Sequence, residues 1–328
     1  MKPYRKGVVI GKFCPPHKGH NYLIDTALSQ CEQLSVLVCW KPEQAVPIAV
    51  RMACLGELHP EADVIAVEDS LADDDTPGWA ANTIRILGSA PDVVFTSEDY
   101  GDAYARLMGA EHVMVDRQRT RIPCSGTMVR TNPLDCLEWL APCVRAFYVK
   151  RICIVGAEST GKTTLAQKLA EHYHTSWVPE YGRDYCVEKW KNGITYDWIS
   201  EEFVVIAREQ ARREDEAARI ANKVLICDTD PFATSIWHER YMNRRNTEIE
   251  EFAGKRRCDL YLLAADEIPF VQDGLRDGEH IRHWMHERFI EALTTSGKPW
   301  CLITGSLAER LRHSIKLIDG IVSDGKQL

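Results

Sequence analysis

The chain has 328 residues, of which 45% are hydrophobic and 27% charged, and its formal net charge is −8. This length is about twice that of an ordinary domain, so two domains are expected. The negative charge argues against a general nucleic-acid binder, which would present a basic face. No run of about 20 apolar residues, as a membrane span would need, occurs in the sequence.

Twelve cysteines occur without a single C-x-x-C pair. Cys39, Cys153 and Cys227 lie within apolar runs, where cysteine usually behaves as a small buried hydrophobic residue. Structural zinc sites use closely spaced pairs, so none is expected. The first residues, MKPYRKGVVIGKF, lack the apolar core and the cleavage site of a secretory signal. We therefore expect a cytoplasmic protein with reduced thiols and no membrane partner.

Strands and helices alternate along both halves of the chain. In the first half, strands are predicted at GVVIGKF, LSVLVCW, DVIAVED, PDVVFTSE and HVMVD, with helices at HNYLIDTALSQC and VRMACLGELHP. The pattern restarts near residues 145–151 with the strand RICIV, and further strands follow at VLICDTD, LYLLAAD and PWCLITG. This succession predicts an α/β protein with two domains, residues 1–147 and 148–328, each built on a parallel sheet.

The segment GKFCPPHKGH follows the first predicted strand, where α/β sheets bind ligands and a helix N-terminus meets anions. His17 and His20 fall about one helical turn apart, so both imidazoles can face the same phosphates. Lys12 offers positive charge, while Gly11 and Gly19 leave room for a nucleotide to approach. An H-x-x-H metal pair is the alternative, but no third ligand of the usual kind is nearby.

A second motif, SGTMVR at Ser125–Arg130, adds two hydroxyls, the backbone N–H groups of a helix start and a guanidinium. H-x-G-H followed by S-x-T-x-x-R resembles the motif pair of the H-x-G-H nucleotidyltransferases. The resemblance implies a Rossmann-like transferase domain in which His17 and His20 are catalytic. It also implies that ATP is bound by Gly11, Lys12, Phe13, Gly19, Ser125, Gly126, Thr127 and Arg130.

Within that superfamily, TSEDYG, VDRQR and the tryptophan of PGWAANTIR resemble nicotinamide mononucleotide (NMN) adenylyltransferase. The resemblance implies that Trp79 stacks on the pyridine ring of NMN, and that Asn82 and Arg51 also contact this substrate. A core position is the alternative for Trp79.

GAESTGKT, Gly156–Thr163, is a complete P-loop between the strand RICIV and a helix. Lys162 is expected to reach the β- and γ-phosphates of ATP, and Thr163 to ligate Mg²⁺. Asp228 and Asp230, at the end of VLICDTD, offer a metal-holding carboxylate and a catalytic base, and the sequence does not rank them. The predicted ATP-binding residues are Gly156, Glu158, Ser159, Thr160, Gly161, Lys162, Thr163, Thr164, Arg276 and Gly305.

The order of these motifs resembles ribosylnicotinamide kinase. This resemblance implies that Glu180, Arg183 and Asp273 contact the riboside, and that Arg276 and Arg282 belong to a lid over the phosphates. Gly305, in TGSLAERL, would lie in the loop against adenine.

Taken together, the two halves resemble the bifunctional NadR-type family. That family pairs phosphorylation of nicotinamide riboside with adenylylation of NMN to NAD, so ATP, nicotinamide riboside, NMN and NAD are the expected partners and Mg²⁺ the expected cofactor. Some members carry a DNA-binding helix-turn-helix ahead of the transferase. Because the first strand begins close to Met1, we expect no such module and no nucleic-acid partner.

Three alternatives stay open at this point. The chain could be a regulator of this family, or an adenylyltransferase for another substrate, such as phosphopantetheine, beside an unrelated kinase. One of the two sites could also lack turnover. A homo-oligomer is neither indicated nor excluded by the sequence.

Overall fold

The computed structural model describes residues 2–72, 74–191, 197–272 and 278–324. The chain divides into two compact units, Met1–Phe147 and Tyr148–Gln327. Each unit contains one five-stranded sheet, and every strand pair in both sheets is parallel. The prediction of an α/β protein with two parallel sheets is confirmed.

The first unit alternates strands with helices. Its strands are β1 (Tyr4–Gly11), β2 (Cys31–Trp40), β3 (Asp63–Glu68), β4 (Val93–Thr96) and β5 (Glu111–Met114). Its helices are α1 (Lys18–Gln30), α2 (Ile48–Leu58), α3 (Thr76–Leu87), α4 (Gly101–Met108), α5 (Gly126–Thr131) and α6 (Pro142–Tyr148), with two short 3₁₀ turns before α6.

Both faces of the first sheet are covered, which explains why its strands read as nearly continuous apolar runs. Val9 packs with Leu23 and Ile24 of α1, whereas its neighbour Val8 packs with Tyr104 and Met108 of α4. The strand order is β3-β2-β1-β4-β5. The order reverses beside β1, so the carboxyl ends of β1 and β4 flank the crevice where such sheets bind ligands.

The second unit repeats this architecture. Its strands are β6 (Lys150–Val155), β7 (Trp177–Val178), β8 (Val224–Asp228), β9 (Leu260–Ala264) and β10 (Trp300–Ile303). Its helices are α7 (Lys162–Tyr173), α8 (Tyr181–Lys191), α9 (Ser200–Ala218), α10 (Pro231–Met242), α11 (Thr247–Gly254), α12 (Arg282–Ser296) and α13 (Leu307–Asp324), with one 3₁₀ turn at Glu279–Ile281.

The strand order in the second sheet is β10-β9-β6-β8-β7, so β6 is central. Ile152 and Ile154 of β6 pack with Leu165 and Leu169 of α7 and with Ile318 of α13. Because β8 is the direct neighbour of β6, the residues after both strands meet at one edge of the sheet. Within the residues described, no helix combines the length and the apolar character needed to cross a bilayer.

Candidate active sites

The two histidines of the first motif lie at the start of α1. His17 is the N-cap residue, and its Nδ1 accepts a hydrogen bond from the backbone N–H of Gly19 at 3.1 Å. The rings of His17 and His20 stack with centroids 3.7 Å apart. A Cβ on Gly19 would lie 3.0 Å from the His17 ring, so a larger residue there would crowd the imidazole. The short spacing between the histidines therefore brings their imidazoles together.

Both imidazoles are held in the neutral form. Burial lowers the pKa of His17 to about 4, and Arg119 and Arg130 add to the effect. Burial also lowers the pKa of His20 well below its usual value, with a further contribution from His17. Since the Nδ1 of His17 accepts from Gly19, its proton resides on Nε2. At neutral pH the ring of His17 therefore offers an N–H donor.

The second motif forms the opposite wall of the same site. Ser125 caps α5, accepting a hydrogen bond from the N–H of Met128 at 3.1 Å. Arg130 donates to the carbonyl oxygen of Cys14 at 2.7 Å, which ties α5 to the loop after β1. A cavity of about 230 Å³ lies between these elements. It is lined by His17, Gly19, His20, Ser125, Gly126, Thr127, Arg130 and also Arg119.

A larger cavity of about 410 Å³ also lies in the first unit, and His20 contributes to the walls of both. The larger cavity contains Gly11, Lys12 and Phe13 of the loop after β1, together with Trp79 of α3. Phe13 has a φ of 44°, and its ring is buried edge-on against His20. The backbone of this loop is thus turned so that an aromatic ring supports the second histidine.

Trp79, which was predicted to stack on a pyridine ring, is half-buried in this wall, and its indole N–H donates to the carbonyl of Ala72 at 3.1 Å. Two other predicted NMN contacts are placed differently. Arg51 has no exposed surface, and its guanidinium donates to the carbonyl oxygens of Lys12 and Cys39 at 2.6 and 3.0 Å. Asn82 accepts a hydrogen bond from Arg85 on the surface of α3. In this structure Arg51 therefore supports the loop after β1.

The P-loop of the second unit has the backbone that its glycines require. Gly156 has a φ of 139°, and a Cβ there would lie 2.8 Å from the carbonyl oxygen of Ala264. Gly161, at a φ of 80°, is the N-cap residue of α7. Thr160 is buried, and its hydroxyl donates to the carbonyl of Ala157 at 2.9 Å. The loop is thereby closed around the first turn of α7.

Two polar side chains of the P-loop, those of Lys162 and Thr163, lie near Asp228 at the end of β8. The ammonium group of Lys162 donates to the carbonyl of Ala157 at 2.8 Å. The hydroxyl of Thr163 donates to Oδ2 of Asp228 at 2.6 Å. The other oxygen of Asp228 is buried and has no hydrogen-bond partner among the described residues. Asp228 thus keeps an acceptor beside Thr163.

Asp230, the alternative to Asp228, makes structural hydrogen bonds with both carboxylate oxygens. It is the N-cap residue of α10, where Oδ1 accepts from the N–H of Ala233 at 3.0 Å. Its Oδ2 accepts from the hydroxyl of Tyr261 at 2.5 Å. In this structure both oxygens are engaged in helix capping and core packing, and the catalytic role of Asp230 stays a prediction.

In the second unit, a cavity of about 190 Å³ lies beside the P-loop. Glu180 and Arg183 line it, together with Glu158, Ser159, Thr160, Gly161, Lys162, Thr163 and Thr164. Burial raises the pKa of Glu180 to about 7; the charge of Lys162 opposes this rise and that of Asp228 adds to it. A carboxyl with a pKa near 7 is suited to general base catalysis at neutral pH.

Comparison with known proteins identifies the family. The trifunctional NAD biosynthesis/regulator protein NadR of Escherichia coli (strain K12) is 32% identical, covering 82% of this chain and 71% of the relative. NadR of Salmonella typhimurium (strain LT2) matches to the same extent. The chain belongs to the NadR family. Residues 151–310 also match a family described as an AAA domain.

Two solved NadR structures have the same fold as this NadR-family chain. A NadR protein in complex with NR matches with a TM-score of 0.79 and 20% identity, covering 98% of this chain and 97% of the other. A NadR protein in complex with NAD and AMP-PNP matches with a TM-score of 0.76 and 19% identity, with the same coverage.

Several residues of this NadR-family chain line the cavities although the sequence motifs assigned them no individual role. Arg119 lies in the smaller cavity, and Asp69 in the larger one. Asp69 directly follows β3, a position at which polar residues often face a ligand, so a signal was present in the sequence. In the second unit, the P-loop cavity has an aromatic wall of Trp198, Phe203, Trp237 and Tyr241. These aromatic residues come from two separate stretches, residues 198–203 and helix α10, and no single local motif joins them.

The remaining predicted groups of the second unit lie around the P-loop. Arg282 donates to the carbonyl oxygens of Ile268 and Asp266 at 2.8 and 3.1 Å, so in this structure it braces the loop after β9. Gly305, after β10, has a φ of 91°, and its N–H donates to Glu267. Asp273 and Arg276 lie outside the described residues.

Proposed function

We propose that this NadR-family chain makes NAD in two steps, each with its own ATP. The second unit phosphorylates nicotinamide riboside to NMN, and the first unit transfers the adenylyl group of ATP to NMN. The observation that carries this proposal is that each unit has its own cavity lined by groups suited to binding phosphates. In the first unit these groups are the imidazoles of His17 and His20 and the guanidinium of Arg130. In the second unit they are the side chains of Lys162 and Thr163. Two relatives named as NAD biosynthesis proteins support the same function.

In the kinase step, Glu180 would accept the proton of the riboside 5′-hydroxyl as its oxygen attacks the γ-phosphorus and ADP leaves. Its raised pKa, about 7, suits this role. The aromatic wall of the same cavity gives a flat, apolar surface for the nicotinamide ring. Relatives solved with NR, and with NAD and AMP-PNP, support these ligand classes.

Mg²⁺ is the cofactor we propose for the kinase step. The hydroxyl of Thr163 and the unpartnered, buried oxygen of Asp228 lie side by side, and both are hard oxygen ligands of the kind that Mg²⁺ prefers. When bound, the ion would neutralise charge on the β- and γ-phosphates. Lys162 would add a second positive charge near the same phosphates.

In the transferase step, a phosphate oxygen of NMN would attack the α-phosphorus of ATP in line and pyrophosphate would leave. No covalent intermediate on the protein is required. The neutral ring of His17 donates from Nε2, and Arg119 and Arg130 supply positive charge in the same cavity. Positioning and charge stabilisation would therefore account for the rate enhancement.

The proposal is tested by supplying nicotinamide riboside and ATP with Mg²⁺ and following NMN and NAD by mass spectrometry. Lys162→Ala should abolish formation of NMN from riboside and leave conversion of added NMN to NAD intact. Lys168→Ala is the matched control, because Lys168 lies on the same helix and pairs with Glu171 at the surface. If phosphopantetheine is adenylylated and NMN is not, the substrate assignment is wrong. Loss of both activities in folded Lys162→Ala protein would contradict the separation of the two sites.

A further inference from the structure

A buried carboxylate faces the larger cavity of the first unit. Asp69 follows β3, and its backbone N–H donates to the carbonyl of Trp40 at 2.9 Å, which fixes its position beside β2. Its side chain is 1% exposed, yet it belongs to the cavity wall. Among the described residues, neither carboxylate oxygen has a hydrogen-bond donor. Asp69 thus brings two unsatisfied acceptors to the site.

Two lysines lie near this carboxylate but do not satisfy it. The ammonium groups of Lys12 and Lys41 are 3.8 and 3.7 Å from the oxygens of Asp69, beyond hydrogen-bond distance. Both lysine side chains are partly exposed, 50% and 37%, whereas that of Asp69 is enclosed. The lysines balance its charge from the solvent side. The directional hydrogen bonds that a buried carboxylate needs must come from elsewhere.

The cavity itself indicates what can supply them. Trp79, Tyr100 and Tyr104 contribute aromatic groups to the wall that contains Asp69. A flat ring with an N–H donor in its plane and a positive charge would complement this combination of surfaces. A pyridinium ring with a carboxamide substituent has all three properties.

We propose that Asp69 is a specificity-determining residue that makes the transferase site accept the pyridine amide nucleotide and reject the corresponding acid. Its carboxylate accepts an N–H of the carboxamide and faces the pyridinium charge. A ring carboxylate in the same place would offer no donor and would bring two negative charges together. This inference rests on the proposed adenylylation of NMN. It names the side chain of the protein that distinguishes NMN from nicotinate mononucleotide.

The experiment compares kcat/KM for NMN and for nicotinate mononucleotide in the wild type and in Asp69→Asn. The wild type should favour NMN. The variant should lose at least about tenfold on NMN and lose nothing on the acid, because the asparagine N–H₂ can donate to a carboxylate. Glu68→Gln is the matched control: it removes the same charge from the neighbouring residue, which is exposed on β3, and should leave the ratio unchanged.

A second measurement does not depend on the variant. The 3-acetylpyridine mononucleotide keeps the ring, the charge and the carbonyl but lacks the N–H donor. The wild type should use it at least about tenfold less well than NMN.

Three results would overturn the proposal. Equal losses on both nucleotides in Asp69→Asn would mean that Asp69 binds a group they share, such as a ribose hydroxyl. A wild type that prefers the acid would mean that Lys12 or Lys41 binds the carboxylate substituent of the ring. Equal use of NMN and the acetyl analogue would show that the site does not depend on a contact with the carboxamide N–H. A wild type that adenylylates neither mononucleotide would instead contradict the proposed function itself.

Discussion

The guanidinium of Arg310 lies 2.8 Å from the carbonyl oxygen of Thr160 in the P-loop, although 150 residues separate them in sequence. The same side chain donates to the carbonyls of Gly305 and Ala265 at 2.9 and 3.2 Å, and it is 2% exposed. One buried cation therefore joins the P-loop, the end of β9 and the loop after β10. These are three segments that we expect to surround ATP.

Arg310→Ala should destabilise the second unit by about 2–4 kcal/mol, because it leaves buried carbonyl oxygens without a donor. It should also weaken ATP binding to the kinase site, since the P-loop loses its brace. Thermal unfolding and titration with a fluorescent ATP analogue would measure both effects. Arg312→Ala, an exposed neighbour on α13, is the control and should change neither. A variant with wild-type stability would contradict the structural role of Arg310.

Asp228→Asn and Asp230→Asn should separate chemistry from folding. Asp228→Asn removes the charge beside Thr163 and should lower riboside phosphorylation by about 10²-fold or more. Asp230→Asn can still cap α10, because asparagine is a good N-cap residue. It should therefore keep phosphorylation within a few-fold of wild type, whereas the loss of the acceptor for the Tyr261 hydroxyl should lower the melting temperature. The opposite pattern in the steady-state rates would support the catalytic role predicted for Asp230.

Glu180 should impose a pH dependence on the kinase activity. Burial raises its pKa to about 7, so the fraction able to accept a proton falls as the pH falls through that value. The kcat/KM for riboside should accordingly rise between about pH 5.5 and 7 and level off above about pH 8. Glu180→Gln should lower the rate of riboside phosphorylation by about 10²-fold and abolish the rise of kcat/KM between about pH 5.5 and 7. A wild-type profile that is flat across the range would exclude Glu180 as the base.

His20→Ala should act on the transferase alone. Removing the imidazole that stacks on His17 takes away a group beside the phosphates and should lower NAD formation from NMN by about 10²-fold. Phosphorylation of riboside, measured on the same protein preparation, should be unchanged. An unaltered transferase rate would mean that the paired imidazoles are not part of the reaction.

The architecture of this chain could be predicted from the sequence because it depends on local patterns. Apolar runs such as LSVLVCW and VLICD form strands that are buried on both faces, and the glycines of GAESTGKT allow backbone conformations that other residues resist. The pairing of His17 with His20 also follows from local spacing on one helix. Two parallel sheets, and a glycine-containing motif after the first strand of each, are therefore determined by the sequence alone.

Residue roles that depend on contacts between distant segments were decided only by the tertiary structure. Asp228 and Asp230 stand two residues apart, yet one contacts Thr163 of the neighbouring P-loop and the other contacts Ala233 and Tyr261. Arg51 was expected at a substrate, but one of its nitrogens donates to carbonyl oxygens of two other segments. A charged side chain in a core binds whichever acceptors the packing brings within about 3 Å. The identity of those acceptors is a property of the folded chain, and no local pattern encodes it.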